Sequence, residues 1–301
     1  MLYGGVHAIA WYREFAPCEA LRPHVRALFV FGPDRIVTPQ RPLLREVAFA
    51  DLASCSPQFA DGHASMLFEL GRMCTLDGRW QSDVSACAGT VTGPKTVVGR
   101  IAAGALPQML GILFRPSASA ASLLGVALPA LTDRTIAIDD AWGGEGNGLA
   151  SELADLDEAG RIGRIEAVLL TRLSTRKART STVNVERLAA WVLQQRGRTT
   201  VKGMARAGGV SRQHLTREFR DRLGITPKLY CRLARFQSGL GYAGHRKVDW
   251  AQAAAGMGYA DQSHMIAEFR QFGGLTPHEL ASQHWFHPFI ERAVDGMALR
   301  P

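Results

Sequence analysis

The sequence predicts an α+β chain of two domains, a β-rich one followed by an all-α one, and three observations predict it. Short apolar runs punctuated by Gly, Pro and Asp recur through residues 1–140, as strands and turns require. From Val183 onward apolar residues recur at three and four positions instead, the period of helices. The charge divides with the pattern: residues 1–160 carry 12 Lys/Arg against 17 Asp/Glu, and residues 161–301 carry 23 against 10. With 301 residues, 47% of them hydrophobic, the chain is long enough to bury two ordinary cores.

The apolar runs of the first part are Ala27–Phe31, Ser65–Leu70, Val84–Ala88, Thr96–Ile101 and Leu110–Phe114. Gly32-Pro33, Asp61-Gly62, Asp77-Gly78 and Gly93-Pro94 supply the turns between them. Strands at this spacing point to a sandwich or a small barrel. After Phe114 a short helix is expected to run to Leu124, with Ser117 or Ser119 as its cap. The run Gly143 to Gly148 reads as a flexible loop; it lacks the Gly-Lys-Ser/Thr ending that lets such a loop cradle phosphate. Leu149–Leu156 and Ile162–Leu173 read as helices. Ile162, Ile165, Val168, Leu169 and Leu173 form an apolar stripe on the second, which either packs back on the domain or forms a dimer seam. Ser174–Thr182 is polar, basic and without period, as a linker is. The expected bounds are a domain over 1–173, a linker over 174–182, a helical domain over 183–284 and a tail over 285–301.

In the helical part Val185, Leu188, Ala189 and Val192 share one face, and Gly197 ends that helix. Thr199 or Thr200 caps the next, which reaches about Ala207. Then comes an internal repeat. Residues 211–227 (SRQHLTREFRDRLGITP) and 261–277 (DQSHMIAEFRQFGGLTP) share seven of seventeen positions without a gap: His214/His264, Glu218/Glu268, Phe219/Phe269, Arg220/Arg270, Gly224/Gly274, Thr226/Thr276 and Pro227/Pro277. Ser211 and Asp261 cap the two repeat helices, the second also placing a negative charge at a helix N-terminus. In each copy an Ala is followed four residues on by a Gly, Ala205 and Gly209, then Ala254 and Gly258. The small residue allows a close helix crossing and the glycine a tight turn. Short helix, glycine turn and capped second helix make a helix-turn-helix, twice over. The fold class is therefore α+β in two domains, a β-rich sensor-like N-terminal domain and an all-α double helix-turn-helix domain.

On the first repeat helix Leu215 and Phe219 face inward, while Arg212, Gln213, Thr216 and Arg217 face out. Long polar donors on the N-terminal half of such a helix are suited to base edges, Arg to guanine and Gln to adenine. The second helix turns Met265 and Phe269 inward and shows Gln262, Ser263, Ile266 and Ala267, a set much poorer in charge. A longer helix, about Lys228–Tyr242, joins the copies with Leu229, Leu233, Phe236 and Leu240 on one face. Two recognition helices about one DNA turn apart, roughly 34 Å, can enter successive major grooves. Ser211, Arg220, Arg222, Lys228, Arg232, Arg235, Arg246, Lys247 and Arg270 are the expected phosphate contacts.

At this point the residues carry a resemblance. Asn184–Ser282 resembles the DNA-binding domain of AraC/XylS-type transcription regulators, on the stretches GVSRQHLTREFRDRLGITPKLYCRLARFQ and AAAGMGYADQSHMIAEFRQFGGLTPHEL. The resemblance implies base readout by Arg212, Gln213, Thr216 and Arg217 in the first unit. In the second it implies Gln262, Ser263, His264 and the position of Ala267, where Ala departs from the Arg often found there. The stretches YREFAPCEALRPHVRALFVF and LGILFRPSASAASLLGVALPALTDRTIAIDDAWG resemble, more weakly, an uncharacterised domain found ahead of such regulators, and they imply no particular ligand.

Other chemistries fit the residues less well. His284 and His287 are three apart, but Pro288 follows and no Cys or carboxylate lies near. His63, with Asp61 and Glu69, is a candidate pocket lining. Cys18, Cys55, Cys74 and Cys87 are spaced by 37, 19 and 13 and form no close pair, so neither a zinc site nor a disulfide framework is expected; Cys231 makes the count odd. No nucleophile elbow or paired His-Glu-x-x-His occurs. The expectation is a sequence-specific DNA-binding transcription regulator, not an enzyme, with no cofactor, metal or membrane span and a place in the cytoplasm on the nucleoid. Double-stranded DNA is the expected partner. RNA polymerase, an unidentified small-molecule effector and a second copy of the chain stay open as further partners. Two other readings stay open beside it, a nucleic-acid-modifying enzyme with an N-terminal active site and a basic protein-interaction module.

Overall fold

The computed structural model describes residues 10–33, 43–49, 59–75, 79–82, 87–99, 105–117, 119–175, 183–243 and 248–282. The first part is built on β1 (Ala10–Phe15), a 3-10 turn (Glu19–Leu21), β2 (Val25–Gly32), β3 (Leu43–Phe49), β4 (Ser65–Thr75), β5 (Trp80–Ser82), β6 (Gly89–Thr92) and β7 (Ala105–Phe114). Then come α1 (Ala120–Leu124), α2 (Leu128–Leu131), β8 (Thr135–Ala137), α3 (Ile138–Trp142), α4 (Glu145–Asp155) and α5 (Glu158–Ser174). Helices follow alone: α6 (Val185–Gln194), α7 (Val201–Ala207), α8 (Arg212–Leu223), α9 (Pro227–Ala243), α10 (Trp250–Met257), α11 (Gln262–Gly273) and α12 (Pro277–Ser282). This is the α+β order the sequence predicts, strands first and helices after.

The strands form one antiparallel sheet in the order β3-β1-β2-β7-β4-β6-β8, with β5 paired to β4, rather than the two facing sheets of a sandwich. Alternation explains the choice. Phe15, Leu28, Val30, Met66, Phe68, Leu110, Ile112 and Phe114 project to one face and pack under α1–α5. Tyr12, Ala27, Phe29, Phe31 and Leu113 project to the other and form a smaller cluster. Helices, not a second sheet, therefore bury the larger apolar face. The stripe on α5 packs back into this same core, with Ile162, Ile165 and Leu169 fully buried. Two buried carboxylates fasten the same helix: Glu158 pairs with Arg13 of β1 at 2.5 Å, and Glu166 accepts from the Cys18 backbone N–H at 2.7 Å.

Further expectations are modified by the structure. Thr96–Gly99 forms no strand, because Thr96 turns its backbone N–H onto Asp133 Oδ1 at 2.6 Å and its hydroxyl onto the same carboxylate; residues 100–101 lie outside the described residues. Of Val84–Ala88, residues 84–86 also lie outside, residues 87 and 88 carry no strand, and β6 begins at Gly89. The glycine run is not a loop throughout. Gly143 and Gly144 make the turn, and α4 starts at Glu145, with Gly146 so close to Ile138 that a Cβ there would stand 2.2 Å from Ile138 Cγ2. Ser119 occupies the cap position of α1 without capping it; its hydroxyl lies 2.6 Å from His24 Nδ1 and 2.6 Å from Ser117 Oγ.

The helical part follows its sequence closely. Thr200, Ser211 and Asp261 each cap their helix through the side-chain oxygen, and so does Asp249 at α10. On α9 Leu233, Phe236 and Leu240 are buried and Leu229 packs against the same core. The two parts share this core, because Phe59 and Ala60 pack within it. The seam uses the C-terminal ends of both repeat helices. Thr132 Oγ1 donates to the Gly224 carbonyl at 2.9 Å, and the Ala60 N–H donates to the Phe272 carbonyl at 3.0 Å.

The turn glycine Gly209 and the cap glycine Gly224 both hold positive φ, at 65° and 75°. An L side chain in that region costs about 1–2 kcal/mol. Nothing lies within 4 Å of a Cβ built on Gly209, whereas one on Gly224 would stand 2.8 Å from Thr132 Oγ1 and 2.9 Å from the Leu128 carbonyl. Gly224→Ala should therefore destabilise by at least about 1 kcal/mol more than Gly209→Ala, read from urea unfolding midpoints. Equal shifts would show that the seam at Gly224 does not form in solution.

Candidate nucleic-acid interface

Two helix pairs, α7 with α8 and α10 with α11, stand on either side of α9. Each pair has a glycine at positive φ in its turn, Gly209 at 65° and Gly258 at 81°, and each second helix ends on a left-handed glycine, Gly224 or Gly274. Leu215, Phe219 and Leu223 bury one side of α8; Met265, Phe269 and Phe272 bury one side of α11. What remains outside is the candidate interface.

On α8 the outward residues are Ser211, Arg212, Gln213, Arg217 and Arg220, all exposed, with Thr216 partly so. The side chains of Arg212, Gln213 and Arg220 have no partner within the chain among the described residues, nor does Lys228 at the start of α9. Arg217 Nη2 lies 2.7 Å from His214 Nδ1, and Thr216 Oγ1 donates to the Arg212 carbonyl at 2.8 Å. Thr216 therefore turns its hydroxyl to its own helix. Sequence reasoning missed two cations beside this set. Lys202 and Arg206 on α7 are exposed and have no side-chain partner among the described residues; their i,i+4 spacing around the buried Met204 and Ala205 was the available signal.

On α11 Gln262, Ser263, His264 and Ala267 are exposed, and Ile266 partly so. Around them the cations are engaged inward. Glu268, 2% exposed at its side chain, takes Arg232 Nε at 2.6 Å and lies 3.9 Å from Arg235 Nη2 and 3.4 Å from His264 Nε2. Arg232 also donates to Gln271 Oε1 at 2.6 Å, and its guanidinium sits 5.0 Å from the Phe272 ring. Arg235 donates to the Gly258 carbonyl at 3.0 Å and lies over the Tyr259 ring at 5.0 Å. Burial and the charge of Glu268 push the Tyr259 hydroxyl upward, so it stays neutral. The corresponding glutamate of the first copy, Glu218, meets Arg222 along its own helix, at 3.0 Å. Arg270 is exposed at the far end of α11. Arg246 and Lys247 lie outside the described residues.

Among the described residues the remaining polar groups do not assemble a second centre. His63 lies with Asp61, its backbone N–H 2.9 Å and its Nδ1 3.8 Å from the carboxylate. Burial works to raise the Asp61 carboxyl, but hydrogen bonding and charge from His63, with the charge of Lys95, outweigh it and hold the group below the usual range. Burial lifts the Glu69 carboxyl. It also pushes the Cys231 thiol up to about 11, leaving no reactive thiolate there. No group of three metal-ligating side chains occurs among the described residues. His284, His287 and Cys55 lie outside them. No described helix is long and apolar enough to cross a membrane.

Paired helix-turn-helix units with exposed Arg and Gln on a recognition helix define a DNA-binding class of domain. Residues 204–283 match the helix-turn-helix domain family, of the AraC type. No curated protein matches the chain significantly. Among solved structures, ToxT from Vibrio cholerae bound to an unsaturated fatty acid is 10% identical; the match covers 93% of this chain and 97% of that one at a TM-score of 0.38. Another ToxT structure is 11% identical over 75% and 93% of the two chains, at 0.39. Likeness at this level assigns neither a ligand nor a site.

Removing Glu268 should strand the two partly buried arginines it holds, which costs about 3 kcal/mol for a buried pair. Removing Glu218, whose side chain is 16% exposed against 2% for Glu268, strands no partner of a carboxylate buried to that depth and should cost less. Unfolding of Glu268→Ala and Glu218→Ala in urea should differ accordingly, and similar losses would show that the buried network adds nothing.

Proposed function

We propose that this chain is a sequence-specific transcription regulator that places α8 in a major groove of duplex DNA, with α11 facing the next groove. The observation that carries the proposal is the outward face of α8, where Arg212, Gln213 and Arg217 project from the N-terminal half of an exposed, capped helix. Arg212 and Arg217 suit guanine, Gln213 suits adenine, and Ser211, Arg220 and Lys228 suit the flanking phosphates. Arg232, Arg235 and His264 are drawn toward Glu268, and we read them as holding the domain together. The first 173 residues are read as the regulatory domain, joined through 174–182 to a DNA-binding domain over 183–284. A small-molecule effector or a second copy acting on the first domain would reach the second through the contacts at Gly224 and Phe272. Such a protein works in the cytoplasm.

Selection of bound duplexes from a random library tests the proposal: enrichment of a defined motif supports it, and recovery of unrelated sequences contradicts it. Arg217→Ala should weaken binding to the enriched site by about 1–3 kcal/mol and leave unrelated duplexes nearly unchanged. Equal losses on both would make Arg217 a phosphate contact instead.

A further inference from the structure

The two units are copies in fold but opposites in charge. Residues 198–226 carry seven Lys/Arg against two Asp/Glu, while the equally long stretch 248–276 carries one, Arg270, against three, Asp249, Asp261 and Glu268. The caps change in the same direction. Hydroxyls hold both helices of the first unit: Thr200 Oγ1 accepts from the Gly203 N–H at 3.0 Å, and Ser211 Oγ accepts from the His214 N–H at 3.1 Å. Carboxylates hold both helices of the second: Asp249 Oδ1 accepts from the Ala251 and Gln252 N–H groups at 3.0 and 3.1 Å, and Asp261 Oδ1 accepts from the His264 N–H at 2.7 Å. A helix N-terminus attracts phosphate through its free N–H groups and positive dipole end. In the second unit an anion already occupies that place on both helices. The arginines of α9 nearest to it are spent on the buried Glu268.

From this contrast, and resting on the DNA-binding reading above, we propose that the ionic hold on DNA is confined to the first unit. Lys202, Arg206, Arg212, Arg220 and Lys228 neutralise phosphates around one major groove. The second unit meets the duplex without a phosphate clamp, through the uncharged face of Gln262, Ser263, Ile266 and Ala267. The preferred site is then strongly specified over one groove and weakly over the next.

Fluorescence anisotropy with the full chain, on a duplex enriched by selection, reads this directly. Log affinity falls linearly with log salt, and each lost phosphate contact lowers that slope by about 1. Lys202→Ala, Arg206→Ala and Arg220→Ala should each lower it so, while Lys247→Ala and Arg270→Ala leave it unchanged. Scrambling the bases under α8 should cost more than about 100-fold in affinity, and scrambling the next groove less than about 3-fold, since each mismatched pair in a read site costs roughly tenfold or more. If Lys247→Ala or Arg270→Ala lowers the slope as Lys202→Ala does, or if both grooves are equally sensitive, the division of labour is overturned while DNA binding stands. Wild-type protein with no salt-dependent affinity for any duplex overturns the DNA-binding reading itself.

Discussion

The Phe236 ring is the contact on which the rest of the structure depends. It is fully buried on α9 and meets Phe269 at 5.1 Å, Phe272 at 5.7 Å and Phe59 at 6.0 Å between centroids. Phe269 and Phe272 belong to α11, and Phe59 comes from the strand-rich part. One side chain thus seats the second recognition helix on the connecting helix and brings the first part of the chain into the same core. Tilted and edge-to-face aromatic pairs add about 0.5–1.5 kcal/mol beyond the area they bury, so the cluster is a strong fixed point. Ala60 then hydrogen bonds to the end of α11, and Thr132 does the same at the end of α8. Both recognition helices are held from behind, at their C-terminal ends, and the N-terminal half of α8 is left open.

Glu268 supplies the polar counterpart. A buried carboxylate adds little net stability over an apolar replacement, but it allows few arrangements of its partners. Here it ties Arg232 and Arg235 of α9 to α11 and so fixes the turn of one helix on the other. Glu218, the same residue fifty positions earlier, is more exposed, at 16% of its side chain against 2%, and meets Arg222 on its own helix. The first unit is oriented by Thr132 and α2 instead. Two copies of one motif have therefore acquired different neighbours, and their outer faces follow: Lys202, Arg206, Arg212 and Arg220 stand exposed on α7 and α8, while Arg232 and Arg235 turn inward beside α11.

Much of the helical part could be read before any coordinates, because caps, turn glycines and apolar periods are local. Ser211, Asp261, Gly209, Gly258 and the buried face of α9 all follow from neighbours within a few residues. The outward set on α8 followed for the same reason. What could not be read depends on distant partners. Thr96–Gly99 has the composition of a strand, yet Asp133 claims its donors. Gly146 looks like a loop residue until Ile138 approaches and makes a missing side chain an advantage for a helix. Arg232 and Arg235 look like any surface cations, and only the buried Glu268 reveals where they point. Phe59 lies in a stretch without period, so nothing near it announces that it belongs to the core of the other part.

The central claim is that the strand-rich part and the paired helix-turn-helix units are coupled through this aromatic cluster. A double-mutant cycle of Phe59→Ala and Phe236→Ala, followed by urea unfolding of the full chain, measures that coupling directly. A coupling energy of about 0.5–1.5 kcal/mol is predicted for rings in contact. Losses that add to within about 0.3 kcal/mol would show that the two parts do not share a core and would contradict the account.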